Sequence, residues 1–383
     1  MRFGYWLPVF GGWLRNVDDE GMEASWRYVS PLARRSEEIG FDLTLIAELM
    51  LNDIKGPEAP SLDAWTTAAA LAAVTYRLEL MVAVRPTFHP PALLAKQAAN
   101  LDHISDGRVS LNVVSAWWAT EARQYGVPFD EHDRRYARTA EWLTVVDRMW
   151  REPECSFQGE LYQVEGALLS PKPVRRPRPM IYAGGESEAA KDLISRLCDA
   201  YVMHGDPPDR IAAKVADMRS RRARHGLPPL RFGASGFVVC RESDTEARRE
   251  LARITDVRQS ARGYANYQDW ITNTMLEQRV SLEDYSVSNR GLKSGLVGTP
   301  EQVAERIVAF ERAGVDLLLL QFSPQAEEME RFAEQVMPLV GASSPPPAHA
   351  GGTEDQDHDE RGQQGHDDQP GTVLQRHPAA QQP

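Results

Sequence analysis

The sequence predicts an α/β protein of the (β/α)8 barrel class, a TIM barrel with an insertion between strands seven and eight and a disordered C-terminal tail. Three observations carry this: eight short apolar runs alternate with amphipathic stretches of helical period, residues 241–294 part the last two runs by more than an ordinary connection, and composition shifts at 341. The first run, 3–7 (FGYWL), is followed by a helical pattern at 25–39 and a second run at 43–47 (LTLIA). The next three pairs are a helix at 62–74 with a strand at 78–84 (LELMVAV), 91–104 with 109–114 (VSLNVV), and 134–150 with 180–183 (MIYA). Helical patterns at 188–197, 208–225 and 300–313 lead into runs at 200–203 (AYVM), 232–240 (FGASGFVVC) and 317–322 (LLLLQF). Short continuous apolar runs between helices are what a parallel sheet wrapped by helices requires. Eight such units favour a closed barrel over an open doubly wound sheet.

The insertion is mostly polar and partly helical, and its length suits a functional element such as a mobile lid. A single barrel body is expected over 1–340. From 341 to 383, Pro, Gly, Gln and acidic residues leave too little apolar surface to offset ordering entropy, so this stretch reads as disordered. Among its histidines, His349, His358 and His366 read as part of a solvated tail rather than a metal site.

Composition narrows the function. Forty-three Lys and Arg against 55 Asp and Glu give a net charge of −12 over 383 residues. Seven tail acids against two tail arginines account for part of this and leave about −7 on the body. That sign, with no basic run, argues against a nucleic-acid partner, whose binding is dominated by cations releasing counterions from phosphate. Cys155, Cys198 and Cys240 lie far apart with no CxxC spacing, as in a reducing compartment. The N-terminus lacks a charged region followed by an apolar run and a cleavage site, and no window approaches 18 apolar residues. Neither export nor membrane spanning is expected, and the cytoplasm is the predicted location.

In a barrel of this class chemistry gathers at the C-terminal ends of the strands. After strand four, Asn112, Ser115, Trp117, Trp118 and Glu121 bring an amide, a hydroxyl, two indoles and a carboxylate to one mouth; core packing is the competing reading for each indole. Arg135 and Tyr136 near a helix start suit an anionic or phosphorylated ligand. After strand five, Gly184, Gly185 and Ser187 lead into a helix whose N-terminus favours phosphate, although a capped helix start explains the same residues. His89 follows strand three and His204 follows strand six. No GxGxxG, Walker loop, GxSxG elbow, HxH or HExxH occurs, and no metal is expected.

Taken together, Ala98 to Ser115 (AANLDHISDGRVSLNVVS), His132 to Tyr136 (HDRRY), Ala183 to Ser187 (AGGES), Leu296 to Pro300 (LVGTP) and Gly314 to Asp316 (GVD) resemble the bacterial-luciferase-like flavin monooxygenases. The resemblance covers about 1–340. It is strongest to the branch containing alkanesulfonate, dimethylsulfone and pyrimidine monooxygenases, and closest in pattern to the FMNH2-dependent dimethylsulfone enzymes. It implies a barrel that binds FMN as FMNH2 made by a separate NAD(P)H:flavin reductase, reacts it with O2, and oxygenates and cleaves a small organic substrate. It further implies that Asn112 and Ser115 face the flavin ring, that Glu121, Arg135 and Tyr136 line its tail side, and that Ser187, with the Gly185 turn, holds the phosphate. The ring contact after strand two falls at Glu48 and Leu49, where relatives tend to carry an apolar residue followed by a basic or small one. Relatives also suggest a homo-oligomer, a dimer or tetramer.

The substrate side departs from the sulfonate pattern. Strand seven, Arg231 to Phe237 (RFGASGF), lacks the arginine and histidine two apart that meet a sulfonate in the alkanesulfonate enzymes. Losing a cation and a histidine from a buried anion site is costly, which favours a neutral sulfone or a heterocycle against the aromatic residues Trp6, Trp13, Trp117, Trp118 and Phe322. The segment 289–294 is expected to close over the site, with Arg290 or Lys293 pairing with the anionic flavin or its peroxide. His89 is the candidate proton carrier, because imidazole as a residue type exchanges protons near neutrality. Two alternatives stay open: an F420-dependent reductase or dehydrogenase on the same barrel, and a non-catalytic flavin-binding protein.

Overall fold

The eight runs are the eight strands of one closed parallel barrel. The computed structural model describes residues 1–256, 267–273 and 280–343. Its barrel strands are β1 (Arg2–Trp6), β2 (Leu43–Ile46), β3 (Glu79–Val84), β4 (Val109–Val113), β5 (Met180–Gly184), β6 (Ala200–Met203), β7 (Arg231–Phe237) and β8 (Leu317–Gln321). Each pairs in parallel with its sequence neighbours, and β8 closes on β1 with Phe3 opposite Leu318. All of β3 and β8 is buried, as expected of strands covered on both faces. Burying each leucine of β8 contributes on the order of 1.5–3 kcal/mol.

Helices fill each connection, and several start on side-chain caps. Ser25, Asp63, Ser187 and Thr299 each accept a backbone N–H of the first turn. Such caps satisfy donors that have no partner within the helix. Two features were not predicted. An antiparallel hairpin, Cys155–Gln158 with Gln163–Ala167, lies between the helix His132–Arg151 and β5. Its strands are polar and half exposed, with no clean alternation to announce them. A short parallel pair, Val239–Cys240 with Val297–Gly298, brackets the insertion after β7.

The insertion carries helices Asp244–Ile254, Tyr267–Asn273 and Leu282–Tyr285 and a 3-10 segment, Ser288–Ser294. That last segment packs against β7 and meets the chain just past β6 through the Gly205 N–H to the Asn289 carbonyl, and its Leu292 packs against the hydrophobic core. After β8, helix Gln325–Gln335 is followed by Met337–Ser343, so helical structure continues three residues past the expected body boundary at 340. The remainder of the predicted tail, with His349, His358 and His366, lies outside the described residues. No described helix is long and apolar enough to cross a membrane. Cys155, Cys198 and Cys240 are buried free thiols.

Candidate active site

Two adjoining cavities open at the C-terminal mouth, with volumes of about 880 and 970 Å³ including the part open to solvent. Trp6, Asn112, Trp117, His204, Trp270 and Asn289 line both, forming the seam between them. One cavity is rich in aromatic residues: Trp6, Phe10, Trp13, Trp117, Trp270 and Tyr285 line it. The other is closed by the Gly184–Glu186 turn, Ser115, Arg135 and Tyr136. Trp118 and Phe322, expected in the lining, are instead packed in the interior. Trp118 stacks behind Trp117 with centroids 5.5 Å apart, and Phe322 packs edge-on against Phe41 and Phe332. The competing core reading therefore holds for one of the two neighbouring indoles.

The glycine-turn cavity is built to receive an anion. Arg135 is buried; its guanidinium donates to the carbonyls of Ala116 at 2.5 Å and Asn273 at 3.0 Å, and its Nε has no partner. Among the described residues no carboxylate pairs with it, because Arg138 holds the nearby Asp130 at 2.6 Å. Burial pushes the Arg135 pKa below the ordinary guanidinium value, against the opposing pull of Tyr136 and Asp130. A cation in this condition gains most from an incoming anion. Beside it, burial raises the Tyr136 phenol, while hydrogen bonding with Ser187 and Ser115 and the charge of Arg135 work the other way. Gly185 makes room for that phenol. With φ +152°, a Cβ there would meet the Ala190 Cβ at 2.6 Å and the Tyr136 hydroxyl at 3.1 Å. Ser187 lies at the rim just past β5, where its hydroxyl caps the next helix by accepting from Ala190 N–H at 3.2 Å; it borders Tyr136 without lining the cavity. Ser115 lines the cavity, its hydroxyl 3.1 Å from that of Thr139.

A buried ionic cluster stands behind the same turn. Glu186 pairs with Arg290 and with Lys214 at 2.9 Å, and Lys214 also meets Asp206 at 2.8 Å. Burial opposes the charged form of Glu186, but His204, Arg290 and Lys214 outweigh it and hold its carboxyl at about 2. Burial lowers Lys214, yet Glu186 and Asp206 carry it above the ordinary lysine value. For His204, burial and then Arg290 push the imidazole down to about 4. At neutral pH it faces the cavities uncharged. Arg290 was expected to meet the flavin; its guanidinium is taken up by Glu186, and Lys293 pairs with Asp284 at 3.1 Å.

On the aromatic side every lining guanidinium has a carboxylate. Arg15 pairs with Asp53 at 3.0 Å, Arg85 with Glu121, and Arg290 with Glu186. Leu49 and Glu48 line this cavity. Glu48 Oε2 accepts the backbone N–H of Arg85 at 2.8 Å, and Oε1 lies 2.6 Å from Nε2 of His89. His89 lines neither cavity; it stands behind Glu48 with 19% of its side chain exposed. Glu121 is fully buried and also lines neither cavity. Besides Arg85, it accepts the backbone N–H of Met50 at 2.5 Å and of Leu51 at 3.4 Å, fixing the loop that presents Glu48 and Leu49. Asn112, on β4, faces the seam with a buried, partnerless Oδ1. Sequence reasoning gave Glu186, Arg85 and Trp270 no site role; the pattern A-G-G-E-S pointed to the neighbours of Glu186 but not to its partners.

Residues 1–317 match the family model described as luciferase-like monooxygenase. The chain belongs to that family. Membership makes it an oxidoreductase, and the barrel and C-terminal mouth found above agree with it. Among curated proteins it is 36% identical over 359 residues to an FMNH(2)-dependent dimethylsulfone monooxygenase of Pseudomonas putida, covering 89% of this chain and 95% of that protein. A protein of the same description from Pseudomonas fluorescens (strain Pf0-1) is 33% identical, covering 89% and 94%. A solved long-chain alkane monooxygenase superposes with a TM-score of 0.77 at 20% identity, covering 89% of this chain and 91% of that one, which speaks to the fold alone.

Proposed function

We propose that this protein is a monooxygenase that takes FMNH2 from a separate NAD(P)H:flavin reductase in the cytoplasm and uses O2 to oxygenate a small uncharged molecule, a sulfone or a heterocycle. The observation that carries this reading is the asymmetry of the two cavities. The glycine-turn cavity holds Arg135, a buried cation without a carboxylate, whereas each guanidinium lining the aromatic cavity is already neutralised. A phosphorylated cofactor suits the first and an uncharged guest the second. The names of the curated relatives support the same cofactor and favour a sulfone.

The residues fit FMN. Arg135 and Tyr136, with the N–H groups of the Gly185 turn and the Ser187-capped helix start, would hold its phosphate. Asn112, Ser115 and Leu49 would border its ring. Bound FMNH2 supplies two electrons to O2, one oxygen atom passing to the substrate and the other leaving as water. The chain's own part is to bind, orient and keep water out. Asn289 and Arg290 close the wall over the seam, and Glu121 braces the loop that carries Glu48. Glu48 and His89 form a proton path, with the carboxylate on the cavity and the imidazole 2.6 Å behind it toward solvent. Oxygen uptake by the full chain with a flavin reductase, NADH, FMN and a panel of sulfones and heterocycles, with 18O2 product analysis, tests the reading. Label from 18O2 in a product is expected. Turnover with reduced F420 and no O2, or tight FMN binding with no oxygen consumed, would overturn it in favour of the two alternatives.

A further inference from the structure

His204 is held on both sides but left free in the middle. The strand that ends just before it, β6, is fixed in the barrel, and the next residue anchors the main chain through Gly205 N–H to the carbonyl of Asn289 at 3.0 Å. Asp206, one residue further, is tied to Lys214. The imidazole itself lines both cavities, yet Nδ1 is buried without a partner, and among the described residues no hydrogen bond reaches either ring nitrogen. Buried polar groups in folded proteins are nearly always satisfied, and a purely structural histidine would use this rigid frame to find a partner. Charge on the ring is opposed by burial and by Arg290 and Lys214 on the insertion and the helix Pro208–Arg224, with Glu186 and Asp206 acting the other way. A neutral imidazole offers one donor and one acceptor, and no net attraction for an anion.

We propose that His204 is the positioning residue that hydrogen-bonds an uncharged, oxygen-bearing substrate at the seam between the two cavities. This rests on the functional reading above and names the group that orients the guest of the aromatic cavity. Around the seam Trp6, Trp117 and Trp270 supply apolar walls, so one polar contact decides which end of a sulfone or carbonyl compound turns toward the cofactor side.

The test uses the full chain with histidine labelled in its ring nitrogens and oxidised FMN bound, probed with dimethyl sulfone, methyl phenyl sulfone and methanesulfonate. The His204 resonances, assigned by their loss in His204→Gln, are expected to report an uncharged ring at pH 7 and to move when a sulfone binds, but not with methanesulfonate. In turnover, His204→Phe is expected to raise KM for the sulfone by about tenfold while kcat changes far less, and His204→Gln to recover most of that loss. FMN affinity, read by flavin fluorescence, is expected to stay within about twofold in both variants, because Arg135 and the Gly185 turn are untouched. Sulfone binding with unmoved His204 resonances, or an unchanged KM in His204→Phe, overturns this inference alone. Failure of every probe to bind the wild-type FMN complex overturns the inference and the substrate reading together. The wild-type resonances decide the matter even if His204→Phe does not fold.

Discussion

Arg135 earns its place in the site through what it lacks. It donates only to two backbone carbonyls and keeps a buried Nε unpartnered. Hydrogen bonds from a charged group to phosphate are each worth about 1.5–3 kcal/mol. Arg135→Gln is therefore expected to weaken FMN binding by about ten- to a hundredfold in a fluorescence titration with little change in melting temperature. Equal affinity in the variant would remove Arg135 from the phosphate site. His89 acts at one remove, through Glu48, so His89→Ala is expected to slow turnover by about a hundredfold without loosening FMN, with partial recovery on adding imidazole to the buffer. Full turnover in that variant would leave Glu48 without a relay partner in function.

At the scale of elements, the segment Ser288–Ser294 is the part of the insertion that completes the site. Asn289 and Arg290 both sit in the left-handed region, at φ 55° and 53°, a conformation that costs ordinary residues about 1 kcal/mol or more each. Their surroundings impose it: Gly205 donates to the Asn289 carbonyl, and Glu186 holds the Arg290 guanidinium. Contact here is backbone against backbone, since a Cβ on Gly205 would lie 2.3 Å from the Arg290 carbonyl oxygen. Gly205→Ala is expected to lift this segment, lowering stability by about 2 kcal/mol and exposing Arg290 and Lys293 to trypsin. Unchanged proteolysis in the variant would show that the segment does not depend on that contact. The segment expected to close over the site thus lies at the mouth, and its arginine points to a carboxylate of the barrel.

Across the whole molecule, buried titrating groups set a pH range. His204 has a folded pKa near 4, below its ordinary 6.5, so between those values the unfolded chain binds more protons and stability falls as pH drops. Glu186 is held at about 2, below its ordinary 4.5; its contribution is present above 4.5 and is lost as pH falls from there toward 2. Melting temperature is expected to decline steadily from pH 6.5 downward, and His204→Gln to flatten the upper part of that decline, between 6.5 and 4, in calorimetry. A decline of the same slope in the variant would mean that other groups control acid stability.

How much of this could be read in advance depends on how far apart the interacting residues lie. Each barrel strand is announced by its own continuous apolar run, and local capping residues mark the helices, so the architecture and the mouth at which to look follow from the chain alone. The A-G-G-E-S and H-D-R-R-Y patterns likewise point to Gly185, Arg135 and Tyr136, because each lies on a local turn or helix start. Only the folded molecule decides who meets whom. Glu121 and His89 stand near the mouth in sequence, but Arg85 draws one inward and Glu48 screens the other from the cavities. Glu186 and Arg290 are 104 residues apart, and nothing local in either segment encodes their pairing. Backbone propensities and apolar periodicity act over a few residues, whereas burial and charge compensation act through space once the barrel has closed.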